Sequence, residues 1–428
     1  MMKVLRSGDY EDLESLRRDM GWDFWADRGP VQEVRDIISQ VARDGDRALR
    51  ELTKRLDGVD IPAAGLRVGE NEIRQAREKV DPSFVDALRG AARSITAFHR
   101  RQSWESLFWD TEEGARIGQM IKPLKRVGVY IPGGRASYPS TALMTIIPAK
   151  VAGVHEIAAC VPPGRNGDVN PHTLYTLDYL GVKEVYRVGG AQAIAALALG
   201  TETIAPVEKV VGPGNIYVTL AKKEVFGRVG IDMLAGPSEL VVLADEKAEA
   251  DLLAWEMAAQ LEHGGGARAC LITDSDGLIT RVQEALARRG DAGTVGPADV
   301  TAVMVRDMVE GTRLVDVLAP EHLVIDTEDM TGTLSAIHNA GAVFLGSESP
   351  VALGDYAVGV NHVLPTKGGA RYASPLGVYD FLKRTNIVFS NPRANRHLGP
   401  LVETLARVEG LVNHAEAMRH RLYGQEEE

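Results

Sequence analysis

From residue 127 to residue 345, short β-rich runs alternate with segments of helical spacing, and this alternation limits the possible fold more than any other feature. Strands that are separated by helices of crossover length lie parallel in a doubly wound sheet. The pattern therefore predicts an α/β protein with two such units in tandem. The predicted strands are 127–131, 156–161, 184–188, 209–211 and 240–244 in a first set, and 269–273, 301–305, 323–326 and 342–345 in a second.

The regions on either side of this alternation are predicted to be mostly helical. Residues 1–24 are polar apart from Trp22 and Phe24, and are expected to form an arm rather than a core element. Regularly spaced apolar residues then predict helices that begin or end at proline or glycine. The predicted elements are helices over 31–56, 70–79 and 82–102, a hairpin over 107–121, and short helices over about 378–385, 398–409 and 411–422.

The composition is that of an ordinary globular protein, with 45% hydrophobic and 25% charged residues. A net charge of −11 argues against non-specific binding of nucleic acid, which needs a basic surface. Cys160 and Cys270 lie in apolar runs and are expected to be reduced core residues. No signal-peptide stretch and no run of 18 apolar residues is found, so we expect a cytoplasmic protein.

Three glycine-rich turns follow predicted strands of the first set and open helices, at 130–135, 189–193 and 212–215. Such turns offer backbone N–H groups and the positive end of a helix dipole to an anion at the carboxyl edge of the sheet. None matches the phosphate-loop or the standard dinucleotide fingerprint. One turn of this kind is usually structural, but three on one sheet edge favour a nucleotide site.

Asp355 and His362 lie seven residues apart in a segment punctuated by Gly354, Gly359 and Pro365, which predicts a loop rather than a helix. The segment follows the apolar run 342–345. A carboxylate and an imidazole on a loop beyond a strand suit a metal or proton-transfer site. The alternative is a polar turn with one hydrogen-bonded histidine.

Two further pairs combine histidine with a polar neighbour. Gln260 and His263 are three residues apart near a predicted helix end and share one face, as metal ligands or as a C-terminal cap. Glu321 and His322 directly precede a predicted strand. They could act as two general bases with different pKa values, or as solvated turn residues.

Glu409 and His414 flank Gly410 near the end of the chain. A helix that ends at Gly410 and resumes at Leu411 could let both side chains face one site. A solvated tail is the alternative.

Together these segments make the chain resemble the histidinol dehydrogenase family, from about residue 25 to residue 415. The resemblance rests on several long strings in the same order along the chain. They are VGGAQAIAAL at 188–197, VGPGN at 211–215, AGPSE at 235–239, APEHL at 319–323 and GDYAVGVNHVLPT at 354–366.

The resemblance implies a zinc- and NAD-dependent four-electron oxidation of L-histidinol to L-histidine through the aldehyde, with two NAD per turnover and one zinc ion per subunit. It assigns roles residue by residue. The zinc ligands would be Gln260, His263, Asp355 and His414, which also border the substrate; the catalytic bases would be Glu321 and His322; the other substrate contacts would be Ser238, His362 and Glu409; and the NAD contacts would be Tyr130, Gln192 and Asn215.

The resemblance also implies two incomplete Rossmann-like domains and a homodimer that exchanges its C-terminal tails, so that Glu409 and His414 serve the partner's site. The expected division has four parts. They are an arm over 1–24, a first α/β domain over 25–126 and 240–377, an inserted NAD-binding domain over 127–239, and a helical tail over 378–428.

Two segments depart from the family pattern, at Gly264-Gly265-Gly266 and at Ser374-Pro375-Leu376-Gly377. They leave open a related dehydrogenase of another small alcohol, such as a sulfonated propanediol. A zinc hydrolase could use the same ligands but would not need the glycine-rich turns. A non-catalytic metal-binding protein would need neither Glu321 and His322 nor Ser238.

Overall fold

The computed structural model describes residues 2–22, 29–62, 65–133, 137–264, 266–290 and 299–423. Phe24, Gly134, Arg135 and Gly265, which the sequence analysis singled out, lie outside these residues. The described strands are β1 (Lys3–Arg6), β2 (Leu107–Asp110), β3 (Arg116–Pro123), β4 (Arg126–Tyr130), β5 (Glu156–Cys160), β6 (Glu184–Tyr186), β7 (Lys209–Val211), β8 (Gly230–Ile231), β9 (Glu239–Ala244), β10 (Arg268–Thr273), β11 (Val300–Met304), β12 (His322–Asp326), β13 (Ala342–Leu345) and β14 (Leu382–Phe389).

The helices flank these strands in the order that the alternating pattern predicts. They are α1 (Leu13–Asp19), α2 (Val31–Leu56), α3 (Glu70–Lys79), α4 (Pro82–Arg100), α5 (Pro139–Ala152), α6 (Pro171–Tyr179), α7 (Gly190–Leu199), α8 (Ile216–Val225), α9 (Ala250–Leu261), α10 (Asp276–Gly290), α11 (Met308–Leu318), α12 (Met330–Ser335), α13 (Val351–Tyr356), α14 (Pro392–Val408) and α15 (Val412–Tyr423). No helix within the described residues is long and apolar enough to span a membrane.

The chain forms two compact units. The first contains residues up to 102 together with 125–381, and the second contains 103–124 together with the residues from 382 onward. The first unit holds two parallel sheets with helices on their faces, which confirms the α/β class and the pair of Rossmann-like units.

The larger sheet has six parallel strands in the order β1-β11-β10-β9-β12-β13. Every residue of its central strand β9 is buried. Because helices cover both faces of such a sheet, its strands are continuous apolar runs rather than alternating ones. The register places His322 beside Leu240 of β9 and Ala342 of β13. The amino ends of β9, β12 and β13 therefore meet at one edge.

The smaller parallel sheet has five strands in the order β6-β5-β4-β7-β8. Val34, Ile37, Val41 and Leu49 lie at helical spacing on α2 and pack with α7 and α8 in the core of this sheet. Helix α7 is apolar on all sides because the sheet covers one side and α2 another. Helix α3 packs against α6, and helix α4 packs against α5, on the same sheet.

This packing groups the N-terminal helices with the five-stranded sheet, whereas the sequence analysis placed residues 25–126 with 240–377. Apart from the N-terminal arm, the predicted division of the chain remains a prediction. Strand 240–244, the last of the first predicted set, is the centre of the six-stranded sheet as β9.

The expectation of an N-terminal arm is wrong for the described residues 2–22. Strand β1 pairs along its length with β11 as the edge of the six-stranded sheet, and Leu16 and Trp22 are buried in that sheet's core. An edge strand is held by backbone hydrogen bonds and keeps much of its surface in water. A polar segment can therefore form an edge strand. The arm was predicted because the segment is polar, and that composition does not distinguish an arm from an edge strand.

The second unit contains the antiparallel sheet β14-β3-β2, and α14 packs against α15. The hairpin predicted over 107–121 is present as β2 and β3. A helix was predicted over 378–385, and this is corrected: residues Val378–Phe381 form a single 3-10 turn and Leu382–Phe389 form a strand. The strand pairs with all eight residues of β3, a long-range partner that local spacing does not reveal.

Candidate active site

The amino edge of the six-stranded sheet carries three buried ionisable side chains. Glu239 opens β9, and Glu321 and His322 stand at the start of β12. One carboxylate oxygen of Glu321, Oε2, accepts the backbone N–H of Glu239 at 2.9 Å. The same oxygen lies 3.7 Å from Nδ1 of His322. The pair is therefore desolvated and held by the sheet, which argues against solvated turn residues.

Asp355 faces the same histidine from the other side. Its Oδ1 lies 3.8 Å from Nε2 of His322, beyond hydrogen-bond length. Asp355 lies in the last turn of the short helix α13, so the prediction of a loop at this position is wrong. Hydrogen bonding within Val351–Tyr356 completes one helical turn despite Gly354.

His362 lies in irregular structure, as predicted, and is tied to the same carboxylate residue. Its Nδ1 lies 2.8 Å from the backbone carbonyl of Asp355. A carbonyl only accepts, so Nδ1 carries the proton and Nε2 keeps its lone pair. His362 can therefore present Nε2 to a ligand.

Gln260 and His263 stand at the end of α9. Nδ1 of His263 lies 3.1 Å from the backbone carbonyl of Gln260, so Nε2 is the nitrogen that keeps a lone pair in the neutral form of the ring. The Gln260 side chain is buried, and among the described residues its Nε2 has no hydrogen-bond partner. A buried amide with an unsatisfied group is costly unless a further ligand occupies the site.

The pKa values of the cluster shift as burial and mutual charge require. Burial raises the pKa of Glu321. Burial disfavours the charged form of His322, but the carboxylates of Glu321 and Asp355 outweigh it and raise the pKa of His322. For Asp355, His322 outweighs the effect of burial and lowers the pKa. Burial lowers the pKa of His362, which favours its neutral form.

Tyr130 and Gln192 lie at the carboxyl edge of the five-stranded sheet. The buried Tyr130 ends β4, and its hydroxyl accepts the backbone N–H of Gly190 at 3.1 Å. Gln192 is also buried, and its Oε1 has no hydrogen-bond partner within the described part of the chain. This edge therefore presents the start of α7 and an unsatisfied amide oxygen, which are groups that a nucleotide could contact.

Asn215 stands at the third glycine-rich turn, where it caps α8. Its Oδ1 accepts the backbone N–H groups of Tyr217 and Val218 at 3.0 and 3.2 Å. This is an ordinary N-cap arrangement. The side-chain NH₂ is the part of Asn215 that could contact a cofactor.

The turn before Asn215 is fixed by a buried ion pair between Lys222 and Asp232. Asp232 Oδ2 accepts the backbone N–H of Gly212 at 2.8 Å, and Lys222 Nζ donates to the backbone carbonyl of Gly212 at 3.0 Å. Gly212 has φ +117°, and a Cβ there would collide with the carbonyl of Tyr130. Only glycine fits this position.

Comparison with known proteins now decides the family. A family model described as histidinol dehydrogenase matches residues 27–422. The histidinol dehydrogenases of Moorella thermoacetica and Methanothermobacter thermautotrophicus are 46% and 45% identical to this chain; the matches cover 96% and 99% of it, and 98% and 100% of the relatives. The crystal structure of histidinol dehydrogenase from Elizabethkingia anophelis matches with a TM-score of 0.92 at 32% identity, covering 99% of this chain and 98% of that one. The chain belongs to the histidinol dehydrogenase family.

The residues that the family resemblance singled out fall into three groups. Gln260, His263, Glu321, His322, Asp355 and His362 surround the amino edge of the six-stranded sheet, with Ser238 directly before Glu239. Tyr130, Gln192 and Asn215 stand at the carboxyl edge of the five-stranded sheet. Glu409 and His414 belong to the second unit, where Glu409 is the C-terminal cap directly after α14 and His414 lies in the first turn of α15.

The donor atoms at the first group fit a zinc ion, the metal of this family. Gln260 offers an amide oxygen, His263 an imidazole nitrogen and Asp355 a carboxylate, which are ligands that zinc accepts. The contact between Nδ1 of His263 and the backbone carbonyl of Gln260 matches a metal ligand whose ring is oriented by an outer hydrogen bond. Among the described residues no group of three His, Cys, Asp or Glu side chains could hold a metal by itself.

One buried carboxylate of the site escaped the sequence analysis. Glu239 was quoted only as part of a matching string, yet its side chain lies beside Glu321 and accepts the backbone N–H of Lys367 at 3.1 Å. Burial, with the charge of Glu321, raises the pKa of Glu239 to about 8. A charged residue at the start of an otherwise apolar central strand was the signal that could have revealed it.

Proposed function

We propose that this protein oxidises L-histidinol to L-histidine through the aldehyde, with zinc in the site and two NAD reduced per turnover. The observation that carries the proposal is the buried pair Glu321 and His322, with Asp355 on the far side of the imidazole. An alcohol oxidation followed by hydration of an aldehyde needs two bases within reach of one carbon. Full-length relatives named histidinol dehydrogenase support the choice of substrate.

We propose that Gln260, His263 and Asp355 hold the zinc ion together with His414 of a second subunit. When bound, zinc orients the imidazole and amine of the substrate, and NAD supplies the hydride acceptor. Ser238 and His362 would bind the substrate from the same subunit, and Glu409 from the other would pair with the cationic amine. Tyr130, Gln192 and Asn215 would hold the NAD.

The proton movements follow from the positions of the two bases. His322 accepts the hydroxyl proton of the alcohol as the carbon loses its hydride, which gives the aldehyde. Glu321 then removes a proton from water that attacks the aldehyde carbon. The hydrate would pass a second hydride to a second NAD, and the remaining hydroxyl proton would leave to solvent, so that two NADH and the carboxylate are formed.

Absorbance at 340 nm with NAD, zinc and L-histidinol tests the function directly. We expect two NADH for each histidine formed. NADH formation from a sulfonated propanediol, but not from histidinol, would favour the related dehydrogenase that the departures at 264–266 and 374–377 leave open. Hydrolysis without NADH would indicate a zinc hydrolase.

Metal removal gives a second test. We expect a chelator to abolish turnover and added zinc to restore it. His263→Asn should lower the zinc content measured by elemental analysis, because it removes an imidazole nitrogen. His338→Asn alters an exposed histidine of the same unit and should bind zinc normally. A metal-free preparation with full activity would refute the zinc site.

We further propose that the active protein is a homodimer in the cytoplasm. In this proposal His414 and Glu409, which belong to the second unit, come from the tail of a second subunit, as the family resemblance implies. Both cysteines are buried and unpaired, which suits a reducing compartment.

A further inference from the structure

The segment that carries His362 is pinned to α4 and α5 by a buried polar network. Asn361 and His99 are almost fully buried, and neither has a role in the proposed chemistry. Asn361 Nδ2 donates to the backbone carbonyl of Met144 at 2.7 Å, and the same nitrogen lies 3.4 Å from Nε2 of His99. On its other side, Asn361 Oδ1 accepts the backbone N–H of Val363 at 2.9 Å.

The hydrogen bonds of this network fix the tautomer of His99. Gln102 Oε1 accepts the backbone N–H of Val378 at 3.1 Å, so this atom is the amide oxygen. It lies 2.8 Å from Nδ1 of His99, which must therefore carry the proton. Nε2 is then an acceptor that faces the NH₂ of Asn361. Burial lowers the pKa of His99, which keeps the imidazole neutral and this arrangement intact.

The backbone two residues before Asn361 also packs against α4. Gly359 has φ +115°, and a Cβ there would lie 2.7 Å from the carbonyl oxygen of Ser94 in α4. The segment therefore lies directly on α4 at Gly359 and is hydrogen-bonded to α4 and α5 at Asn361. His362 follows these anchors, and its ring is oriented by the bond to the carbonyl of Asp355.

We propose that Asn361, held by His99, is a positioning residue that sets the backbone and ring of His362 for the substrate. The proposal rests on the proposed role of His362 in binding histidinol. Loss of the Asn361 amide frees the residues on both sides of His362 while leaving the zinc ligands and Glu321 in place. The cost should therefore appear in substrate binding, because a small misplacement of one contact weakens a site strongly.

The test compares Asn361→Ala and His99→Phe with the control Asn170→Ala. Asn170 caps α6 by accepting the N–H of His172 at 2.9 Å, so its loss also removes an Asn side-chain hydrogen bond to backbone in the first unit. For Asn361→Ala we expect the KM for histidinol to rise roughly 10- to 100-fold, with the KM for NAD within about twofold. His99→Phe should show a smaller shift in the same direction, and Asn170→Ala should lower only the melting temperature.

Two readouts separate positioning from a general loss of stability. Calorimetric Kd values for histidinol on zinc-loaded protein without NAD should rise in step with KM. In ¹H–¹⁵N spectra of the His side chains, Nδ1 of His362 should lose its hydrogen-bonded shift in Asn361→Ala. A histidinol KM within twofold of the native value, or equal rises in both KM values, would overturn the proposal.

His99→Phe decides the matter if Asn361→Ala does not fold, since it removes only one partner of the amide. A native histidinol KM in His99→Phe would then overturn the role of His99 in the proposal. If the unaltered protein neither binds nor oxidises histidinol, the proposed function fails instead. The positioning of His362 is then still read from the ¹⁵N shift, which needs no substrate.

Discussion

At the scale of single residues, the neighbours Glu321 and His322 are expected to divide the two oxidations between them. Glu321→Gln keeps the shape of the side chain and removes the base proposed for hydration. Oxidation of histidinal should slow by roughly 10²–10⁴-fold, while alcohol oxidation is spared much more. His322→Asn should mainly slow the alcohol step. Single-turnover NADH formation from each substrate measures both, with exposed Glu328→Gln as the control. Equal losses in both half-reactions would contradict this assignment.

At the scale of secondary-structure elements, the start of α11 depends on one carboxylate. Glu310 accepts the backbone N–H of Arg306 at 2.8 Å, the Arg306 guanidinium at 2.7 Å and the Ser7 hydroxyl at 2.7 Å. Arg306 lowers the pKa of Glu310 to about 2. A carboxylate whose pKa is lower in the folded state stabilises the fold when the pH is above its pKa in the unfolded state. This contribution is lost as the pH falls through the pKa in the folded state.

Glu310→Gln should therefore lower the free energy of unfolding at pH 7 by about 1–3 kcal/mol. The difference from the native protein should shrink as the pH falls below about 4.5 and vanish near pH 2. Denaturant unfolding curves recorded across this pH range measure the difference in the free energy of unfolding. Glu78→Gln, at an exposed position on α3, is the control and should show little change at any pH. A difference that stays constant with pH would show that the charge of Glu310 does not contribute.

At the scale of the whole molecule, the second unit carries large apolar side chains on its surface. Val388, Phe389, Leu401, Leu405 and Val408 are 61–81% exposed. A dimer with exchanged tails would bury such a surface and would supply Glu409 and His414 to the partner's site.

Mixing two inactive variants, His322→Asn and Glu409→Gln, tests this arrangement. With crossed tails, the hybrid has one site with native His322 from one chain and native Glu409 from the other, so it should regain roughly half of the native activity. With tails folded on their own chains, each site keeps one defect. Homodimers of each variant, purified in parallel, are the controls. A co-expressed, purified hybrid that stays inactive would refute the exchange.

The sequence by itself determined the class of fold and most of its strands. Buried parallel strands are apolar runs, and the helices between them repeat with a period that local spacing records, so both patterns can be recognised without knowing the partners. The family strings likewise singled out Glu321 and His322, because both are adjacent in the chain. That His362 lies outside regular structure followed from Gly359 and Pro365.

Only the tertiary structure decided what depends on distant partners. Strand β1 and strand β14 exist because β11 and β3 pair with them, and neither has an apolar pattern of its own. The grouping of α2 with the five-stranded sheet depends on which apolar face it meets. The hydrogen bonds of Glu239 join residues 82 and 128 positions apart, and the network from Gln102 to Asn361 joins residues more than two hundred positions apart. Hydrogen bonds of that kind leave no periodicity in the sequence, because each is specified by the folded geometry alone.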